Sequence, residues 1–115
     1  YAYKLGDDNQ YSLVETFVCS TGFYGPTPTG VFTTTGPAQR WHFFKEFDIW
    51  AQYAYSIEGD YLFHSVLFKK KGGKPTSASV WALGHKASHG CVRLSVKDAK
   101  WVFQNCAKGT VVTIY

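Results

Sequence analysis

The chain has 115 residues, enough for one hydrophobic core. Nine Phe, eight Tyr and four Trp stand beside a charged fraction of only 17%, which argues against disorder and favours a compact, strand-rich domain. The net charge of +4 is mild, and no apolar stretch reaches the length of a membrane span.

Tyr1-Ala2-Tyr3-Lys4-Leu5 alternates like a strand from the first residue, with no signal peptide before it, so the chain looks trimmed at its N-terminus. Tyr11–Ser20 is β-rich and closes at Ser20-Thr21-Gly22. The Gly-, Pro- and Thr-rich stretch Thr21–Gly30 reads as a loop. Val31–Thr35 reads as a short strand, followed by a turn at Gly36-Pro37, and Trp41–Phe47 is apolar but too short to assign. Ile49–Ile57 and Tyr61–Phe68 are bulky runs separated by Glu58-Gly59-Asp60, the pattern of a hairpin.

Lys69–Ser79 reads as a flexible polar excursion. Its run Lys69-Lys70-Lys71, with Lys74 close behind, is most simply a solvated loop. The sharper reading is attraction to an anionic polymer, either nucleic acid or a charged cell wall. Gly84–Cys91 is too irregular for a regular element. One helix is clear. Ser95 with Asp98 resembles a capping box, Val96, Ala99, Val102, Phe103 and Cys106 recur on one face, and Lys108-Gly109 ends it. Thr110–Tyr115 is a closing strand. No internal repeat or interdomain linker is visible, so residues 1–115 read as one mainly β domain.

Of the three cysteines, Cys19 and Cys106 lie in apolar settings and read as buried structural thiols, or as a pair. Cys91 differs. It sits in Ser88-His89-Gly90-Cys91-Val92-Arg93, whose polar members are hard to explain as core packing. Positive charge nearby favours the thiolate, the nucleophilic form. In an extended chain His89, Cys91 and Arg93 would share one face. Gly90 suits a tight turn that leaves backbone N–H groups free to stabilise an oxyanion, and Arg93 is shaped to hold a carboxylate by two hydrogen bonds. The following helix N-terminus would favour an anion if it points at the site. A general base is needed, and His64, His85 and His89 are candidates; His42 lies far away in sequence.

At these residues the chain resembles the L,D-transpeptidase catalytic domain, also called the YkuD domain. His64, a spacer, then Ser88-His89-Gly90-Cys91-Val92-Arg93 is similar to the family signature, and Thr27-Pro28-Thr29-Gly30-Val31-Phe32 is similar to its TP-x-G-x-F segment. The spacer is longer than usual, with the excess assigned to Lys69–Ser79. The resemblance implies a β-sandwich catalytic domain with one helix in its C-terminal half. It implies Cys91 as nucleophile, His64 as base, and Ser65 as the residue whose carbonyl orients His64. His89, Gly90 and Cys91 would form the oxyanion pocket, and Arg93, with Ser88 and His85 nearby, would contact substrate. The implied reaction is thioester formation on Cys91 at the third residue of a peptidoglycan tetrapeptide stem, with loss of D-Ala. A neighbouring stem's amine then resolves the thioester into a 3→3 cross-link. Carbapenems are implied as covalent inhibitors. No metal or cofactor is implied, nucleic acid is not expected as a partner, and the setting is extracytoplasmic, in the cell wall or periplasm, with the protein secreted or anchored. Water as acceptor would instead make an L,D-carboxypeptidase. Two other classes remain open at this level, a zinc site built from His64, His85, His89 and Cys91, and a non-catalytic wall-binding module.

Overall fold

A computed structural model describes residues 1–115. Its elements in chain order are β1 (Ala2–Leu5), β2 (Tyr11–Glu15), β3 (Cys19–Ser20), β4 (Gly30–Thr33), β5 (Gly36–Phe44), β6 (Ile49–Glu58), β7 (Tyr61–Ser65), β8 (Leu67–Phe68), α1 (Ser77–Trp81), β9 (Val92–Leu94), α2 (Val96–Asn105) and β10 (Val111–Ile114). The fold is mainly β, as expected. Its main sheet runs β3-β9-β7-β6-β5, with β8 pairing to β6 off this path. Two small ribbons, β1-β2 and β4-β10, accompany it.

The main sheet has two different faces because side chains alternate along its strands. One face carries the core. Tyr53, Tyr55 and Leu94 pack against Ala99 and Val102 of α2, with Phe17, Phe63, Trp101 and Phe103 around them. This is the helix face that the apolar spacing predicts. Burying a side chain of this size contributes about 1.5–3 kcal/mol. The α2 N-terminus forms the forward half of the expected box, with the Asp98 N–H donating to Ser95 Oγ at 3.1 Å. The helix ends at Asn105, before Lys108-Gly109, because Cys106 already leaves in extended backbone.

The β4-β10 ribbon is tied to the sheet through one phenol. The Tyr55 hydroxyl lies 2.7 Å from Thr34 Oγ1 and donates to the Ala107 carbonyl at 3.2 Å. The Tyr55 side chain is therefore both core packing and a buried, satisfied polar link.

Several local expectations are corrected. Gly36-Pro37 is no turn; it opens β5, with Pro37 opposite Tyr55 and a register shift before Gln39. Proline is tolerated there because β5 is an edge strand, where its missing N–H costs no ladder bond. Tyr11–Ser20 is two strands with different partners, β1 for the first and β9 for the second. Lys69–Ser79 is not a free excursion. Phe68 bridges Pro75, and Thr76 N–H donates to Leu67 O at 2.8 Å. The segment then enters α1, a second helix, which Thr76 caps. Buried Ser79 clamps α1 to β8 by accepting the Leu67 N–H at 2.9 Å. A five-residue helix shows no periodicity, so nothing in the sequence announced it. Lys69, Lys70, Lys71 and Lys74 are exposed, and the Lys71 Nζ lies 5.8 Å from the Trp50 ring centre.

Candidate active site

The second face of the sheet lines an open cleft of about 770 Å³. The β7–β9 pair places the chemistry there. These strands are parallel, with Phe63 opposite Val92, His64 opposite Arg93 and Ser65 opposite Leu94. Phe63 and Leu94 turn to the core, so His64, Cys91 and Arg93 turn to the cleft and line it. The β6–β7 hairpin turn, Gly59-Asp60, closes one end; the Cys91 thiol donates to the Asp60 carbonyl at 3.6 Å.

His64 is buried in the interior of the sheet, with β7 flanked by β6 and β9. Its Nδ1–H donates to the Ser65 carbonyl at 2.7 Å, which leaves Nε2 as the basic nitrogen. Burial pulls its pKa down to about 4, against the raising effect of that hydrogen bond, and the Arg93 and His42 charges lower it further. The Ser65 hydroxyl has its own task. It accepts the Gln52 N–H at 2.7 Å and donates to the Val66 carbonyl at 2.7 Å. These bonds fill the ladder where β6 changes partner from β7 to β8. There Tyr53 adopts φ +54, a left-handed conformation uncommon for a bulky residue.

Cys91 is half-buried and free, as are Cys19 and Cys106. Those two sit at the rim of the core cluster and outside the cleft, so neither a disulfide nor full burial is found. Burial pushes the Cys91 thiol up from its ordinary value, opposing the effect of nearby positive charge. The Leu62 backbone and the Arg93 guanidinium lower it by less, and Asp60 raises it. Attack by a thiol raised in this way calls for proton transfer to a base.

Arg93 Nε is buried without a hydrogen-bond partner, although the residue lines the cleft. An orphaned guanidinium N–H of this kind is costly unless a ligand satisfies it. None of Ser95–Asp98, at the α2 N-terminus, lines the cleft.

The loop before Cys91 is set by Ser88 and Gly90. The buried Ser88 hydroxyl donates to the Cys91 carbonyl at 2.5 Å and accepts the Gly90 N–H at 3.1 Å, so it is committed inside the loop. Gly90 has φ +136, and a Cβ there would stand 2.8 Å from Tyr61 Cε1. Gly90→Ala is expected to cost about 1–3 kcal/mol, seen as a Tm lowered by several degrees; an unchanged Tm would remove this constraint. His89 lines the cleft, while His85 is exposed and does not. Thr27 Oγ1 accepts the Gly22 N–H at 2.8 Å and closes the neighbouring loop. The four ligands of the zinc reading do not converge: no group of three His, Cys, Asp or Glu side chains is placed to hold a metal.

The structure adds cleft residues that sequence reasoning left out. His42, Phe44, Phe47, Asp60 and Tyr61 all line it. The Phe44 ring lies 4.6 Å from His42 and 5.0 Å from His64. Only the hairpin pairing of β5 with β6 brings them there, and their spacing carried no signal.

The sequence pattern of the YkuD family, the L,D-transpeptidase catalytic domain, matches residues 2–114. The chain belongs to this family. YciB of Bacillus subtilis (strain 168), itself a candidate L,D-transpeptidase, is 39% identical over 90 residues, which is 76% of this chain and 46% of that protein. A fused Zn-dependent amidase/peptidase/peptidoglycan-binding-domain protein of Clostridium acetobutylicum ATCC 824 superposes with TM-score 0.72 at 32% identity, over 98% of this chain and 45% of that one. The L,D-transpeptidase LdtMt1, solved in complex with imipenem, superposes with TM-score 0.72 at 22% identity, over 94% of this chain and 51% of that one, a likeness of fold. The chain thus spans about half the length of the relatives it matches.

Proposed function

We propose that this L,D-transpeptidase-family domain uses Cys91 to form a thioester with a peptidoglycan stem peptide and then transfers it to an amine, giving a 3→3 cross-link. The observation that carries this reading is the parallel pairing of β7 with β9, which brings His64, on β7, and Cys91, the residue just before β9, to one cleft, with the His64 tautomer set by the Ser65 carbonyl. In the first step Nε2 of His64 takes the thiol proton as Sγ attacks the carbonyl carbon. The N–H groups of Gly90 and Cys91 are the nearest candidates for stabilising the oxyanion, and the Gly90 N–H is shared with Ser88 Oγ. The C–N bond to the terminal residue breaks, and the same proton passes to the leaving amine. In the second step the acceptor amine attacks, and the thiolate leaves and regains a proton. Arg93, which lines the cleft, would hold a substrate carboxylate through its guanidinium. The domain would act outside the cytoplasm, where such stems are exposed.

Incubation with purified disaccharide-tetrapeptides, read by mass spectrometry, tests this. Release of D-Ala with a 3→3-linked dimer is the expected result. Tripeptide alone would make the domain a carboxypeptidase, and binding without turnover would make it a wall-binding module. Arg93→Ala should raise the substrate KM about 10- to 100-fold, the loss of a charge-assisted contact; unchanged kinetics would remove that role.

A further inference from the structure

His89 carries no hydrogen bond through its ring that explains its position, yet two rings from separate segments hold it. Tyr24 stacks on it with centroids 5.0 Å apart and planes 21° apart. Phe47 stacks on it at 4.3 Å and 24°. Tyr24 comes from the loop before β4, and Phe47 from the turn between β5 and β6. Both are exposed, at 71% and 47%, so core burial does not account for their placement. Phe23 meets Tyr24 edge-on at 5.0 Å and extends the row.

We infer that Tyr24 and Phe47 are positioning residues that fix the backbone of His89-Gly90-Cys91 by sandwiching the His89 ring. The Tyr24 side is laced to the same loop by backbone bonds, with the Phe23 and Tyr24 N–H groups donating to Ser88 O at 2.8 and 3.2 Å. A Cβ on Gly25 would stand 2.8 Å from His89 O, so the two loops lie in direct contact. The Phe47 side reaches the Cys91 loop from the opposite cleft wall, through the His89 ring. Backbone bonds from Ala87 and Ser88 to Thr21 O hold the start of the loop, the Ser88 hydroxyl accepts the Gly90 N–H, and Gly90 itself has the most permissive backbone of any residue. Aromatic stacking here supplies the stiffness that glycine removes, and an oxyanion pocket works only when its N–H groups are already in place. The consequence for rate rests on the thioester reading above; the consequence for loop order does not.

The test uses Tyr24→Ala, Phe47→Ala and Phe47→Leu, the last keeping apolar bulk without a ring, with Tyr24→Phe and Phe47→Tyr as rescues. Three rates are measured: acylation by imipenem, alkylation of Cys91 by iodoacetamide, and backbone amide exchange at Gly90 and Cys91. The ring-removing variants should acylate roughly 10- to 100-fold more slowly, the scale of a misplaced reacting group. Alkylation, which develops no oxyanion, should stay within about 2-fold of the parent. Amide exchange at Gly90 and Cys91 should quicken, and both rescues should restore the parent rates. Parent-like acylation and exchange in Phe47→Ala and Phe47→Leu would overturn the inference, and so would equal slowing of acylation and alkylation, which would put the effect on the thiol. If the parent itself fails to react with imipenem, the thioester reading falls, and exchange alone decides whether the sandwich holds the loop.

Discussion

Cys91→Ala is expected to abolish covalent adduct formation with imipenem, whereas the parent is expected to gain a single adduct by intact-protein mass spectrometry. The effect is large because a nucleophile has no partial substitute; its loss costs at least about 10³-fold. Neither other thiol can take over. Cys19 and Cys106 lie at the rim of the core cluster, outside the cleft, and burial pushes both thiols up. Cys91 alone of the three lines the cleft beside His64 and Arg93. A single adduct that persists in the alanine variant would move the nucleophile elsewhere. No adduct on well-folded parent would count against the thioester chemistry itself.

His64→Ala is expected to slow that same acylation by about 10²- to 10⁴-fold, the range for removal of a positioned base. The pH profile identifies the base independently. Protonation disables a base, so the loss must come on the acid side. Burial holds the His64 pKa at about 4. The parent rate should therefore stay level from about pH 5.5 to pH 8 and fall below that with a midpoint near 4. An exposed histidine acting as base would lose half the rate near its ordinary value, about 6.5. Such a midpoint, or damage from His85→Ala in place of His64→Ala, would transfer the role away from His64. The burial that pushes the Cys91 thiol up makes this test sharper, because a preformed thiolate would need no base for attack.

Much of this molecule is legible in the residues alone. The period of Val96, Ala99, Val102 and Phe103 identifies α2 and its core face, since a helix must bury one stripe. Gly59-Asp60 between two bulky runs identifies the β6–β7 hairpin, since only a tight turn suits that spacing. The Ser88–Arg93 string stands out in the sequence by its polar residues; in the fold His89, Cys91 and Arg93 line the cleft, while the Ser88 hydroxyl is buried in bonds within the loop. Short elements were not legible. α1 is one turn and a half, and β3 and β8 are two residues each, too short to repeat any period. Pro37 misled because its meaning depends on whether its strand is at an edge.

A mainly β domain, its principal helix and hairpin, and a cysteine flanked by histidine and arginine follow from local period, turn chemistry and residue type. Which histidines share a cleft with that cysteine follows only from the folded chain: His42, His64 and His89 line it and His85 does not. The parallel pairing of β7 with β9 joins residues separated by a long crossover, and no local rule ranks His64 above His85 or His89. The direction of the thiol's shift likewise depends on the fold, because the charge beside Cys91 is visible in sequence while the burial that opposes it is not. So does the sandwich around His89, which depends on two distant segments arriving at one ring. Long-range pairing and desolvation are properties of the assembled chain, and they convert a suggestive string of residues into a site.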